Sequence, residues 1–233
     1  MTEMSEIVQG LQSVLARLEA GLKAAGRPKG AARLIAVSKT FPAECVQEAY
    51  GFGQRAFGEN RVQELSEKAP KLPNDIEWHL IGHLQANKVR AALEHAAWIH
   101  SVDSLSLLKR VERIAAEMGV APKVLLEVNV SGEESKFGLK PQDVAVLLDE
   151  CPSKLLAGFM TVAPLGAPEK ELHEIFGGLR ELRDSMESRS GLKLPELSMG
   201  MSGDFEIALA EGATMIRVGT AIFGHRTVMV NGE

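Results

Sequence analysis

Residues 97–130, AWIHSVDSLSLLKRVERIAAEMGVAPKVLLEVNV, decide the fold class. They open on one apolar run, AWIHSV (97–102), and close on another, KVLLEVNV (123–130). Between the two, segment 104–118 places Leu105, Leu108, Val111 and Ala115 on one face of a helix. Near-continuous apolar β-formers are how strands buried on both faces read, and such strands are parallel. A strand, helix, strand order of this kind joins two parallel strands by a crossover.

The unit repeats in both directions. Upstream lie RLIAVSK (33–39), RAFGEN (55–60) and EWHLIG (77–82); downstream lie LLAGFMTV (155–162), ELSMGM (196–201) and TMIRVGT (214–220). Pro42 suits the first turn of a helix carrying Val46, Ala49 and Tyr50, and Pro168 opens another with Leu172, Ile175, Phe176, Leu179, Leu182 and Met186. Asp204 or Ser202 is placed to cap the helix FEIALAEG, which Gly212 ends. Eight such alternations without a low-complexity linker predict an α/β fold: one closed (β/α)8 barrel domain over residues 1–233. The competing open doubly wound sheet lacks its GxGxxG fingerprint after the first strand. Residues 4–24, with Ile7, Leu11, Val14, Leu15, Leu18 and Leu22 at helical spacing, form an extra N-terminal helix expected to plug the barrel bottom.

Composition narrows the function classes. A net charge of -5 argues against nucleic acid, because phosphate backbones demand clustered Lys and Arg. No apolar run approaches the roughly 18 residues that span a bilayer, and MTEMSEIVQG has neither the basic nor the apolar region of a signal peptide. Cys45 and Cys151 lie far apart with no metal-ligand spacing and read as buried thiols, so a reduced, cytoplasmic location is expected.

In such a barrel the site sits at the C-terminal ends of the strands. Lys39 ends the first strand in IAVSKT. Partial desolvation there favours the neutral amine, the form that attacks carbonyls and makes imines. The loops after strands seven and eight, SMGMSGDFE and RVGTAIFG, carry Gly200, Gly203 and Gly219 for close backbone approach. They also carry Ser198, Ser202 and Thr220 as hydroxyl donors, at the place where barrels often bind phosphate. A carbonyl-trapping lysine beside a phosphate cradle fits two ligand types, pyridoxal 5'-phosphate (PLP) and a phosphorylated sugar. His79 and His83, in WHLIGHLQ, have no carboxylate nearby at metal-ligand spacing, so no metal site is expected.

The segments IAVSKT, FGENRVQE, EWHLIGHLQANK, ESKFGL, LSMGMSGDFE and IRVGTAIFG, in order from residue 35 to 224, together resemble the YggS/PROSC family of PLP homeostasis proteins. The resemblance implies the barrel of the alanine racemase N-terminal domain, of the fold-type III PLP class. It implies that Lys39 holds PLP as an aldimine, that Ser202, Gly219 and Thr220 take the phosphate with help from Ser198, and that Arg217 points at the pyridine nitrogen. Asn60 would approach the ring or its hydroxyl, His79 and Met160 would line the pocket, and Lys136 corresponds to a basic residue that racemases keep near the cofactor hydroxyl. An arginine donating to the ring nitrogen keeps the pyridine unprotonated, a poorer electron sink.

Storage, buffering or delivery of PLP, with apo PLP enzymes as recipients, is therefore weighed against racemase-like turnover. Racemisation needs a base on each face of the substrate. In the racemases that resemble this chain, the second base is a tyrosine supplied with the help of a C-terminal β domain. Here the only tyrosine is Tyr50, and the sequence stops near the last barrel helix. A non-catalytic, monomeric PLP carrier is the expectation.

Overall fold

The computed structural model describes residues 5–133 and 136–224; Glu134 and Ser135 of ESKFGL, and His225, lie outside the described residues. Eight short strands form where the apolar runs predict them. They are β1 (Arg33–Val37), β2 (Ala56–Glu59), β3 (Glu77–Leu80), β4 (Trp98–Val102), β5 (Lys123–Glu127), β6 (Leu156–Met160), β7 (Glu196–Ser198) and β8 (Met215–Val218). All pairings are parallel, and β8 returns to β1 with Ile35 opposite Arg217, closing the barrel. Between and around them lie α1 (Glu6–Ala24), α2 (Ala43–Gly51), α3 (Val62–Lys68), α4 (Val89–Leu93), α5 (Leu105–Met118), α6 (Pro141–Glu150), α7 (Glu169–Ser190), α8 (Phe205–Ala210) and α9 (Thr220–Phe223). No helix among the described residues is long and apolar enough to cross a membrane.

Local chemistry sets the helix ends. The Ser104 hydroxyl accepts from the Leu107 amide at 3.3 Å to start α5, and Gly119, at φ 68°, closes it in the left-handed conformation. Asp204 stands at the start of α8 but does not cap it; its carboxylate accepts instead from the Met201 amide at 2.6 Å and so tightens the preceding turn.

Alternation along the strands makes two cores. Outward residues such as Leu34, Ala36, Phe57, Leu126 and Phe159 pack under the helices, while Ile35, Trp98, Leu125, Met160 and Met215 cluster inside the barrel. The helix α1 does not plug the bottom. It packs in the outer layer against α2, α8 and α9, taking the eighth helical place around the barrel. Its buried stripe, Leu11, Val14, Leu18 and Leu22, faces inward. Small residues let it approach closely: a Cβ on Gly10 would stand 2.7 Å from the Ala221 carbonyl oxygen.

The wall has one point of extreme closeness. Gly158, at φ 153°, pairs with Glu196 across β6 and β7 beside a register shift between β5 and β6. A Cβ there would lie 1.8 Å from the Glu196 carbonyl oxygen, a main-chain atom that cannot step aside. Gly158→Ala is expected to cost about 3 kcal/mol or more in urea unfolding. Gly26→Ala, also at positive φ but with nothing within 4 Å, is expected to cost only about 1 kcal/mol.

Candidate functional site

The mouth at the strand C-termini is built around Lys39. Two residues past β1, Lys39 is exposed, against the partial desolvation expected of a strand-end lysine, and its amine has no partner among the described residues. The backbone around it is gripped from outside the barrel wall. The Lys68 ammonium, buried under α3, donates to the Ser38 carbonyl at 2.9 Å and to Glu59 Oε1 at 2.7 Å. The Ser38 hydroxyl donates to the same Glu59 oxygen at 2.7 Å. On the other side of Lys39, the Thr40 amide donates to Glu64 Oε2 at 2.7 Å. Thr40 sits at φ 70°, a conformation a β-branched residue adopts only when its surroundings impose it. Burial pushes the Glu59 carboxyl up despite Lys68 and Ser38, and its Oε2 is buried without a hydrogen bond. Burial also works against the charge of Glu64, but the Thr40 amide and Lys68 outweigh it and hold that carboxyl below its ordinary range.

The loops after β7 and β8 adjoin this turn. The Arg217 amide donates to the Gly200 carbonyl at 2.9 Å, tying the SMGMSGD loop to β8. A Cβ on Gly219 would stand 3.0 Å from the Val37 carbonyl, so the β8 loop abuts the strand leading to Lys39. Gly200 takes φ 92°, where a Cβ would strike Phe205 and Ala208. From the outer layer, Arg17 of α1 bonds Glu206 at 2.8 Å and reaches the Ser202 carbonyl at 3.5 Å. The Ser202 and Thr220 hydroxyls have no partner among the described residues.

Beneath the mouth, Arg217 is 5% exposed. Its two terminal nitrogens donate to Ser198 Oγ at 2.7 Å and to the Thr161 carbonyl at 3.0 Å. Burial pushes its pKa down to about 10, against the pull of Glu127 and Asp204, so it stays a cation at neutral pH. Glu127, at the end of β5, lines a cavity of about 240 Å³ with Asn129, Lys136, Phe137 and Thr161. Burial, aided by Asp103, raises its carboxyl to about 7. The Lys136 ammonium lies 3.3 Å from the Val162 carbonyl and 3.3 Å from Glu133. Asn60 is half-buried at the end of β2.

Three expected pocket residues are buried in the barrel interior. His79 is fully buried inside the barrel, with Nδ1 at 2.9 Å from His100 Nε2 and Nε2 at 2.9 Å from Glu77. Ser198 is fully buried, engaged with Arg217 and with His100 Nδ1 at 2.9 Å. Met160 is 1% exposed and packs with the inner cluster. In each case strand alternation turns the side chain into a filled interior. The sequence reading missed Glu64, Lys68, His100 and Glu127. The inward parity of His100 with Trp98 along β4 was its available signal; Lys68 and Glu64 read as an ordinary i,i+4 surface pair. Among the described residues no group of His, Cys, Asp and Glu is arranged to hold a metal ion.

Two measurements check these electrostatics. Lys68→Met strands the Glu59 carboxylate and is expected to cost about 3 to 5 kcal/mol in urea unfolding, much of it recovered when Glu59→Gln is added. Glu127 is protonated in the folded chain up to about pH 7 but, unfolded, only to its ordinary value of 4.5. It therefore destabilises the fold increasingly as pH rises between those values. The stability of Glu127→Gln relative to the unsubstituted protein is expected to grow by up to about 3 kcal/mol from pH 4.5 to pH 7. His79, pushed by burial down to about 4, acts in the opposite sense over most of that range, so the comparison of the two proteins, not either pH curve alone, reads Glu127.

The chain matches the family described as "Alanine racemase, N-terminal domain" over residues 13–227. It is 41% identical to "Pyridoxal phosphate homeostasis protein" of Aquifex aeolicus over 220 residues, covering 93% of this chain and 96% of that one. It is 42% identical to the protein of the same name from Pseudomonas aeruginosa over 228 residues, covering 96% and 97%. Among solved structures, PipY of Synechococcus elongatus with PLP bound superposes with a TM-score of 0.83 at 43% identity, over 94% of this chain and all of that one. A closed parallel barrel, a lysine just past its first strand, and these likenesses over nearly the full length lead to one assignment: the chain belongs to the pyridoxal phosphate homeostasis protein family.

Proposed function

We propose that this protein binds PLP at the barrel mouth, through an imine to Lys39, and holds it for storage, buffering or delivery to apo PLP enzymes. The observation that carries the reading is the Lys39 amine, exposed and without a partner among the described residues, on a turn whose flanking residues are clamped and which adjoins the β8 loop. The residues fit the group. Ser202 and Thr220 offer hydroxyls without partners among the described residues, and at Gly203 nothing lies within 4 Å of a Cβ position. When bound, PLP supplies an aldehyde that condenses with amines and a ring that withdraws electrons.

The chain's own groups divide the work. Lys39 supplies the amine. Ser202, Gly219 and Thr220 hold the phosphate and fix the ligand's position. Arg217, a permanent cation at neutral pH, donates to the ring nitrogen and keeps it unprotonated, which weakens carbanion stabilisation and disfavours turnover. Asn60 and Lys136 stand at the rim for the ring and its hydroxyl. Tyr50 is no second base for this site, since its hydroxyl bonds Asp75 on the outer surface at 2.7 Å. His79 has both nitrogens engaged below the mouth. We place the carrier in the cytoplasm as a monomer.

One observation favours a second reading, amino-acid turnover of the racemase type: Glu127 titrates near neutral pH in a cavity beside Lys136. The shared imine is tested first, and turnover then separates the readings. With added PLP, the protein is expected to gain visible absorbance, and borohydride to fix the cofactor on Lys39 by peptide mass. Lys39→Ala should lose the fixed species while keeping weaker binding through the phosphate. Incubating the loaded protein with L- and D-amino acids is expected to give no sustained change in chirality, and PLP should pass to an added apo-enzyme; sustained turnover would reverse the assignment.

A further inference from the structure

A single file of hydrogen bonds crosses the barrel interior. It starts at Glu77, the first residue of β3, half exposed on the face opposite the mouth, where Arg33 also pairs with it. Glu77 meets His79 Nε2; His79 Nδ1 meets His100 Nε2; His100 Nδ1 meets Ser198 Oγ, each at 2.9 Å; Ser198 Oγ meets Arg217 at 2.7 Å. Burial leaves both imidazoles neutral at neutral pH, His79 near 4 and His100 well below its ordinary value. Glu77, held down to about 2 chiefly by the His79 hydrogen bond, is ionised.

The carboxylate end dictates the order of every proton along the file, and the guanidinium end is compatible with it. A carboxylate only accepts and a guanidinium only donates. Facing Glu77, His79 must carry its proton on Nε2, so its Nδ1 accepts. His100 must then donate from Nε2 and accept at Nδ1, and the Ser198 hydroxyl must give its hydrogen to His100. The Ser198 lone pairs are thereby turned to Arg217. The reverse order would set a bare His79 nitrogen against an ionised carboxylate in a buried site, where such a contact is costly. The stacking of His79 on Trp98, 5.6 Å between centroids at 9°, holds the first ring flat in this file.

We infer that Glu77, His79, His100 and Ser198 are positioning residues for Arg217: a one-way hydrogen-bond column that fixes, from the opposite face of the barrel, the guanidinium that meets the cofactor ring. This rests on the proposed role of Arg217. With Ser198 Oγ and the Thr161 carbonyl as its two anchors, the guanidinium cannot turn without breaking the column. The titratable groups around it are Glu127, Asp204 and His100, and those around the histidines are Glu77 and Arg33, with Trp98 stacked on His79.

The test uses the full chain in two stages. Nitrogen-15 spectra of labelled histidine, without PLP, are expected to show two neutral rings with the proton on Nε2. A proton on Nδ1 of either ring overturns the column. Glu77→Gln then keeps an acceptor at the far end but removes the charge that dictates the order. It is expected to redistribute the His79 and His100 tautomers and to shift the PLP absorbance band, or to change PLP affinity, by roughly threefold or more. Lys123→Gln is the control. Lys123 begins β5 and lies 4.8 Å over Trp98 on the same face without joining the file. Equal effects from both substitutions, or none from Glu77→Gln, overturn the inference. His79→Gln, which can still accept and donate, should restore the band more closely than His79→Leu. If the unsubstituted protein takes up no PLP, the functional reading falls by itself, and the histidine spectra alone decide whether the column exists.

Discussion

A guanidinium shut inside a parallel barrel needs acceptors that the barrel wall does not provide, because the strand carbonyls are already committed to one another. Arg217 finds them in a serine hydroxyl and in the Thr161 carbonyl, just past the end of β6. Everything inward of the wall follows from that need. Apolar filling gives way to Ser198, His100 and His79 along one side, while Ile35, Leu125, Met160 and Met215 keep the rest dry. A low local dielectric strengthens each bond in such a file and makes each missing partner expensive, so the interior is satisfied as a unit.

Lys39 is managed in the opposite way. Its side chain has no partner among the described residues, while the main chain on both sides is tied down by charges outside the wall, Lys68, Glu59 and Glu64. Under the proposed function the two arrangements are complementary. The amine that would form the imine stays reachable, and the guanidinium that would meet the ring is held in place. A clamp on the backbone and an anchor in the interior meet those demands without either crowding the mouth.

How much of this was legible differs between wall and interior. Apolar runs in AWIHSV and KVLLEVNV gave the strands and their parallel sense, because burial on both faces leaves a continuous mark. Lys39, Ser202 and Thr220 were readable as residues at strand ends. His79 was noticed as a pocket residue without its partners, and His100 passed over, since single histidines inside a strand say nothing until a neighbouring strand sets them in register. Lys68 resembled a solvated lysine because its burial depends on the Ser38 turn, which lies 30 residues away. The place of α1 was misjudged for a similar reason: its amphipathic stripe shows that it packs, but only Gly10 against Ala221 shows where.

That place for α1 has a consequence for how the molecule is assembled. The ring of strands is sealed by β1 against β8, and the outer layer by α1 against α8 and α9, pairs separated by most of the polypeptide. Such seams close late, because distant segments must meet before either gains anything. During synthesis the first helix therefore waits, its apolar stripe uncovered, until the last strand leaves the ribosome. That interval is when the nascent chain is most exposed to chaperones and to aggregation.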